Sequence, residues 1–295
     1  MKTDAIITYV DGTDPVWIED YQKTVGGTAM VKRYRDWGTL KYLLRGIQLY
    51  LPFVDRVFLV VSNYSQVPQW INPSCVRIVT HSEIIPESSL PTFNSSMIEM
   101  FLHRIPDLSE QYIYFNDDIF PVRPCQLDDF FPGGKPAKGF SHCLFAINDF
   151  RYLVRQSDIL ARKALGLRAG IGFIRPQHTC SPMLRSECEK AFLTMEKEIL
   201  SSLTPIRNRE KNYNQYFFLD YMFYSGKALN RKISNKHISL AAISPRQLAN
   251  YLTAPTHDFV CINDVNMSNN KAEAVKEVLI NSFERLFPLK SGFEK

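Results

Sequence analysis

A chain of 295 residues, 45% hydrophobic and 22% charged, has ample material for a buried core, as one large globular domain or two small ones. No run approaches the ~18 consecutive apolar residues of a membrane-spanning helix, and MKTDAIITYVDG, interrupted by Asp4, is too short an apolar run for a signal peptide. The net charge of +5 suits an anionic small substrate or an acidic membrane surface and does not resemble the basic stripe of a nucleic-acid binder. The six cysteines show no CxxC or zinc spacing and read as thiols of a reducing cytoplasm, although spacing alone does not exclude a disulfide.

Strand and helix alternate in the first part of the chain. Ala5 to Val10 reads as an apolar strand running into the turn-rich Asp11-Gly12-Thr13-Asp14-Pro15. Asp36 to Leu51 reads as a helix with Leu40, Leu43, Leu44, Ile47 and Leu51 on one face, stopped by Pro52. Arg56 to Ser62 is a second buried strand and Val76 to Val79 a third. Ser95 to Arg104 is helical, and the aromatic, β-branched run Tyr112 to Phe115 ends abruptly at Asn116, Asp117 and Asp118. Such an order implies an α/β fold with a mostly parallel central sheet flanked by helices. The middle differs: Leu153 to Leu165, Pro182 to Leu203 and Glu210 to Ser225 read as a helical subdomain covering one sheet edge. Ser244-Pro245 starts a helix, Phe259 to Ile262 is a short strand entering Asn263-Asp264, and a helix from about Asn270 closes the chain.

Three strand ends therefore carry acids: Asp11 with Asp14, Asp117 with Asp118, and Asp264 beside Asn263. Adjacent carboxylates at the end of a buried strand repel each other and lose solvation, so something cationic should compensate them. At the carboxyl edge of a parallel sheet, a divalent ion holding a diphosphate meets that need; carboxylates with an amide oxygen suit Mg²⁺ or Mn²⁺. The bland alternative for NDD is an Asn-Asp turn. No Walker-type loop or GxGxxG is present. Val10 to Asp14, following the first strand, lies at the same edge, where a nucleotide would sit. Arg45 either pairs with an acid or phosphate or lies on a helix surface. Asn94 and Ser95 open a helix, as caps or as the N-terminus that receives a phosphate or sugar hydroxyl.

Six blocks occur in order: YVDGTDPVW, RDWGTLKYLLRGI, VPQWI, HSEIIP, the LPTFNS…LHRIP…SEQYIYFNDDIF block and CIND. The chain thereby resembles the Stealth family of bacterial capsular polysaccharide phosphotransferases, which are similar to the catalytic subunit of the animal N-acetylglucosamine-1-phosphotransferase. The resemblance implies a nucleotide-diphosphosugar transferase-like fold forming one catalytic domain over 1–295. Residues 1–150 would bind the nucleotide sugar, 151–240 would form the acceptor-side helical part, and 241–295 would complete the active site. It implies transfer of sugar-1-phosphate, by family default an N-acetylhexosamine, from a UDP-sugar donor to a hydroxyl of a glycan acceptor, with release of UMP. Asp118 with Asp264 or Asn263 would hold Mg²⁺ or Mn²⁺, Asp117 would ligate through water or orient a neighbour, and Asn116 would donate to a phosphate or sugar oxygen. His178, in QHTCSP, would be the general base, with a pKa near working pH. Arg207, in TPIRNR, would hold the migrating phosphoryl group. The competing readings are a metal-dependent glycosyltransferase that releases UDP and a silent polysaccharide-binding protein. The expected place is the bacterial cytoplasm, with peripheral attachment to the inner membrane face through partners left open, as is oligomeric state.

Overall fold

The computed structural model describes residues 2–27, 34–264 and 267–295. In chain order its strands are β1 (Thr3–Thr8), β2 (Val54–Val61), β3 (Val76–Thr80), β4 (Gln111–Asn116), β5 (Ile119–Pro121), β6 (Ala137–Lys138), β7 (Phe140–Cys143), β8 (Phe173–Pro176), β9 (Ser181–Leu184), β10 (Leu229–Asn230), β11 (Asn235–Ser239) and β12 (Phe259–Asn263). The main sheet runs β3-β2-β1-β4-β9, parallel except for β9. Its four parallel strands read as near-continuous apolar runs because both faces are covered. Side chains alternate between two cores. Ile7, Leu59 and Phe115 enter one, beneath the helices Leu40–Tyr50 and Asn269–Leu286. Ile6, Phe58 and Tyr114 enter the other, with Phe101, Phe192 and Phe217. Each such side chain fully buried contributes on the order of 1.5–3 kcal/mol.

The strand order places the site. The chain leaves β1 for β2 and β3, then crosses back to pair β4 on the other side of β1. A crevice therefore opens at the carboxyl ends between β1 and β4, where Thr8 lies opposite Asn116. NDD is also a turn: Asp117 and Asp118 link β4 to β5, which pairs antiparallel with β12 in a second sheet, β11-β12-β5. Ile262 N donates to Asp118 O at 2.8 Å, so the two acidic blocks are joined through backbone. The helix Leu40–Tyr50 crosses β5 closely; a Cβ on Gly46 would lie 2.6 Å from Pro121 O, which explains a glycine in mid-helix.

The middle of the chain is less purely helical than expected. Helices Asp149–Ala164, Arg185–Thr194, Glu196–Ser202 and Tyr216–Tyr224 are present. Ser181–Leu184, expected at a helix start, instead extends the main sheet, which tolerates Pro182 because the strand lies at the edge. Ser244 caps the helix Pro245–Thr253 through a capping box with Gln247. Among the described residues, no helix is long and apolar enough to cross a membrane.

Candidate active site

The crevice is a cavity of about 1090 Å³. Tyr9 and Val10 from the end of β1, Asn116, Asp117 and Asp118 from the end of β4, and Asn263 and Asp264 from the end of β12 line it. His178, Arg207 and Ser95 line it as well. The fold thus brings together residues from opposite ends of the sequence, such as Val10 and Asp264.

The acids carry the electrostatic signature. Burial pushes the Asp117 carboxyl up to about 7, reinforced by Asp118 and then Asp36. Burial likewise pushes Asp118 up to about 6, against a hydrogen bond from Cys261 Sγ to Oδ2 at 3.5 Å. Asp36 is raised by its own burial, and Tyr9, hydrogen-bonded to it, is held far above an ordinary phenol. Asp118 Oδ1 is buried and accepts no hydrogen bond. Buried, mutually repelling carboxylates with an unsatisfied oxygen fit a hard divalent cation, and the Asn263 amide adds an oxygen donor. Asp264 is differently engaged: its Oδ2 accepts from Trp37 Nε1 at 3.2 Å and pairs with Arg35 at 3.6 Å.

Arg175, Arg207 and Arg209 also line the cavity and offer counter-charge to phosphate oxygens. The Arg207 Nη2 donates to Ser95 Oγ, tying the two candidate residues together. Behind them, buried Glu99 is pushed up to about 7 by desolvation and drawn down by Arg207. His178 lies on the turn between β8 and β9; its Nδ1 sits 3.5 Å from Tyr216 Oη. Burial pushes its imidazole down to about 4, below the expected near-neutral value, with Lys138 and His237 adding to the effect.

Five candidates lie off the cavity lining. Asp11 turns onto its own loop, accepting from Thr13 N at 2.8 Å and Thr13 Oγ1 at 2.6 Å. Asp14 caps the helix Pro15–Thr24 and accepts from Gln66 Nε2 at 2.8 Å. Only two of the three acidic strand ends therefore face the crevice. Asn94 is fully buried, donating to Thr204 O at 3.0 Å and Asn212 Oδ1 at 2.9 Å and accepting from Ser96 N, so it acts as a cap. Arg45 is no phosphate contact: its Nε and Nη2 donate to Glu294 at 2.7 and 2.8 Å, and Nη1 donates to Phe287 O at 2.7 Å. Gly12 lies beside the site, where a Cβ would meet Tyr34 O at 2.4 Å and push Tyr34 off the cavity wall. Sequence reasoning missed Asp36, Arg175, Arg209 and His237. Asp36 sat inside the RDW block and was readable there; the others sit in stretches with no pattern of their own.

Residues 33–138 match the model of Stealth protein conserved region 2, and residues 250–295 that of conserved region 4. Asp117 and Asp118 fall in the first and Asn263 and Asp264 in the second, whereas His178 and Arg207 lie between them. The chain is 30% identical to the capsular polysaccharide phosphotransferase WcwK of Streptococcus pneumoniae, over 99% of each chain. It is 30% identical to the receptor polysaccharide phosphotransferase WefC of Streptococcus oralis, again over 99% of each. A capsular polysaccharide phosphotransferase of Haemophilus influenzae, fcs1, is 33% identical over 90% of this chain and 79% of its own. Among solved structures, the galactosyltransferase LgtC aligns over 94% of this chain and 95% of its own, at 11% identity and a TM-score of 0.42. The protein is an enzyme, a phosphotransferase. The chain belongs to the Stealth family.

Proposed function

We propose that the protein transfers sugar-1-phosphate from a UDP-sugar, of the N-acetylhexosamine class, to a hydroxyl of an acceptor glycan in the synthesis of a capsular or surface polysaccharide. The observation that carries this reading is the pairing, in one switch-point cavity, of the buried Asp117–Asp118 acids with Arg175, Arg207 and Arg209 and with His178. The acceptor oxygen attacks the β-phosphorus, the bond from that phosphorus to the bridging oxygen breaks, and UMP leaves with the electron pair. The hydroxyl proton passes to His178, which burial keeps neutral and therefore able to accept it.

Little covalent chemistry falls to the protein, so alignment and charge neutralisation dominate. Arg207, oriented through Ser95, offers a planar fork to the oxygens of the migrating group. A hard divalent ion held by Asp118 with Asn263 or Asp264 would supply charge neutralisation at the diphosphate. Asp117 supports that cluster, and Asn116 is placed to donate to a phosphate or sugar oxygen. Val10 and Tyr34 wall the end of the cavity assigned to the uridine.

The test is the identity of the released nucleotide. The enzyme is incubated with UDP-N-acetylhexosamine, Mg²⁺ and a glycan acceptor, and the nucleotides are separated. UMP together with a phosphodiester in the product is expected. UDP with a glycosidic product would replace this reading with glycosyl transfer.

A further inference from the structure

Two imidazoles on the cavity lining, His178 and His237, meet a buried thiol, Cys261, behind them, from positions that no sequence spacing connects. β11 and β12 pair in parallel with His237 directly opposite Cys261, so both side chains leave the same face. His178 is brought over them by its own backbone: Asn235, two residues before His237 on β11, donates from Nδ2 to His178 O at 3.0 Å. The two imidazole rings lie 6.0 Å apart between centroids. The nearest ligand atoms of His178, His237 and Cys261 all fall within 4.8 Å of one another.

We propose that His178, His237 and Cys261 form a site for a soft divalent ion of the zinc class, with Asp118 as the adjoining fourth ligand. Bonds of about 2.0–2.3 Å around a tetrahedral ion separate its ligands by roughly 3.3–3.8 Å. The three groups are therefore too open by about 1.0–1.5 Å at most, which rotation of the two imidazoles closes. The donor set is selective. Two imidazoles and a thiolate favour Zn²⁺ or Co²⁺, whereas Mg²⁺ takes oxygen and has no use for the sulfur. Asp118 is already in place, since its Oδ2 accepts from Cys261 Sγ at 3.5 Å. Metal binding converts that thiol to thiolate and releases its proton to solvent. The freed Oδ2 then turns to the ion. His237 is exposed, so the ion has a way in from solvent, while Cys261 closes the buried side.

The consequence follows from the function proposed above and rests on it. An ion on His178 occupies the lone pair that would take the acceptor proton, so zinc should inhibit transfer even with Mg²⁺ in excess. Co²⁺ is titrated into metal-stripped enzyme in the presence of Mg²⁺, following thiolate-to-cobalt charge-transfer absorption, and Zn²⁺ binding is measured by calorimetry. One ion per chain and a thiolate band are expected. His237→Asn, on an exposed strand position, should weaken Zn²⁺ at least tenfold. Cys261→Ser should remove the band. A cobalt spectrum with no thiolate band, or Zn²⁺ affinity unmoved in both variants, would overturn the site. Zinc that binds with the expected band yet leaves transfer at its full rate keeps the site and overturns instead the general-base role of His178.

Discussion

At the residue scale the site depends on what burial does to each titratable group. His178 is pushed down to about 4 by desolvation, then by Lys138 and His237. A base with a lowered pKa is active in its neutral form, which is lost only as pH falls through that lower value. The acid limb of kcat/KM, measured with Mg²⁺ saturating throughout, should therefore fall near pH 4 and show no break at the usual imidazole value of ~6.5. Because Asp117 and Asp118 are themselves pushed up to about 7 and about 6, a break near 6.5 counts against this geometry only if it persists in Asp117→Asn and disappears in His178→Ala. His178→Ala should lower kcat by about 10²–10⁴-fold and leave the affinity for the UDP-sugar nearly unchanged. A collapse of donor affinity would make His178 a phosphate contact. In the proposed reaction Arg207 would act on the migrating group, so Arg207→Lys keeps the charge and loses the fork that Ser95 orients. Turnover should drop by about 10²-fold while donor affinity changes less. Wild-type turnover in this variant would return Arg207 to an ordinary loop arginine.

At the scale of elements, the turn that carries His178 is clamped from three sides. Lys138, fully buried, donates from Nζ to Thr179 O at 2.9 Å, Cys180 O at 2.8 Å and Ser181 Oγ at 3.0 Å. Gln177 bonds Ile233 in both directions, its Nε2 donating to Ile233 O at 2.7 Å and its Oε1 accepting from Ile233 N at 3.0 Å. Asn235 holds His178 O. Lys138→Met matches the length of the side chain but leaves those acceptors without their donor, at a cost of about 1–3 kcal/mol for each group left unsatisfied. Chemical denaturation should show a loss of that order, and kcat should fall at unchanged donor KM because the base loses its position. Stability equal to wild type would mean that the turn holds without the lysine. This clamp marks the boundary of what sequence conveys. β1, β2, β3 and β4 were readable from their apolar, β-branched cores, and the Ser244 cap followed from local chemistry. Asp117, Asp118 and Asp264 were readable because acids at a strand end violate the expectation for a core. For Arg45 the acid was chosen over the phosphate and for Asn94 the cap over the ligand by partners, Glu294 and Asn212, that lie more than a hundred residues away and so could not be read. The His178–His237–Cys261 wall was invisible for the same reason: strand register, not spacing, creates it.

At the scale of the whole molecule, the cavity is a seam between two sheets. The main sheet supplies Asn116 and the Asp117–Asp118 turn, and the β11-β12-β5 sheet supplies Asn263 and Asp264. Few bonds join the two acidic blocks among the described residues: the Ile262 N to Asp118 O and Cys261 Sγ to Asp118 Oδ2 bonds and the short β5–β12 pairing. A ligand that neutralises both should therefore act as a staple, and its binding should appear as thermal stability. The diphosphate of UDP can be gripped together with a divalent ion across this seam, whereas UMP lacks the second phosphate. By mass action, a ligand at a hundredfold excess over its Kd adds ~2.7 kcal/mol, which is a few degrees in Tm for a chain of this size. UDP with Mg²⁺ should raise Tm by that amount and by more than the sum of the separate shifts, because each completes the other's site. UMP with Mg²⁺ should give no such excess. Asp118→Asn should erase the synergy while leaving any shift from UDP alone, since it removes the anionic ligand but not the uridine contacts. Equal shifts from UMP and UDP, or a UDP shift indifferent to Mg²⁺ in the wild-type protein, would show that the buried acids do not meet the diphosphate through a cation. The cluster at the β4–β5 turn would then be a structural acid pair that shares a proton under the pressure of burial and mutual repulsion.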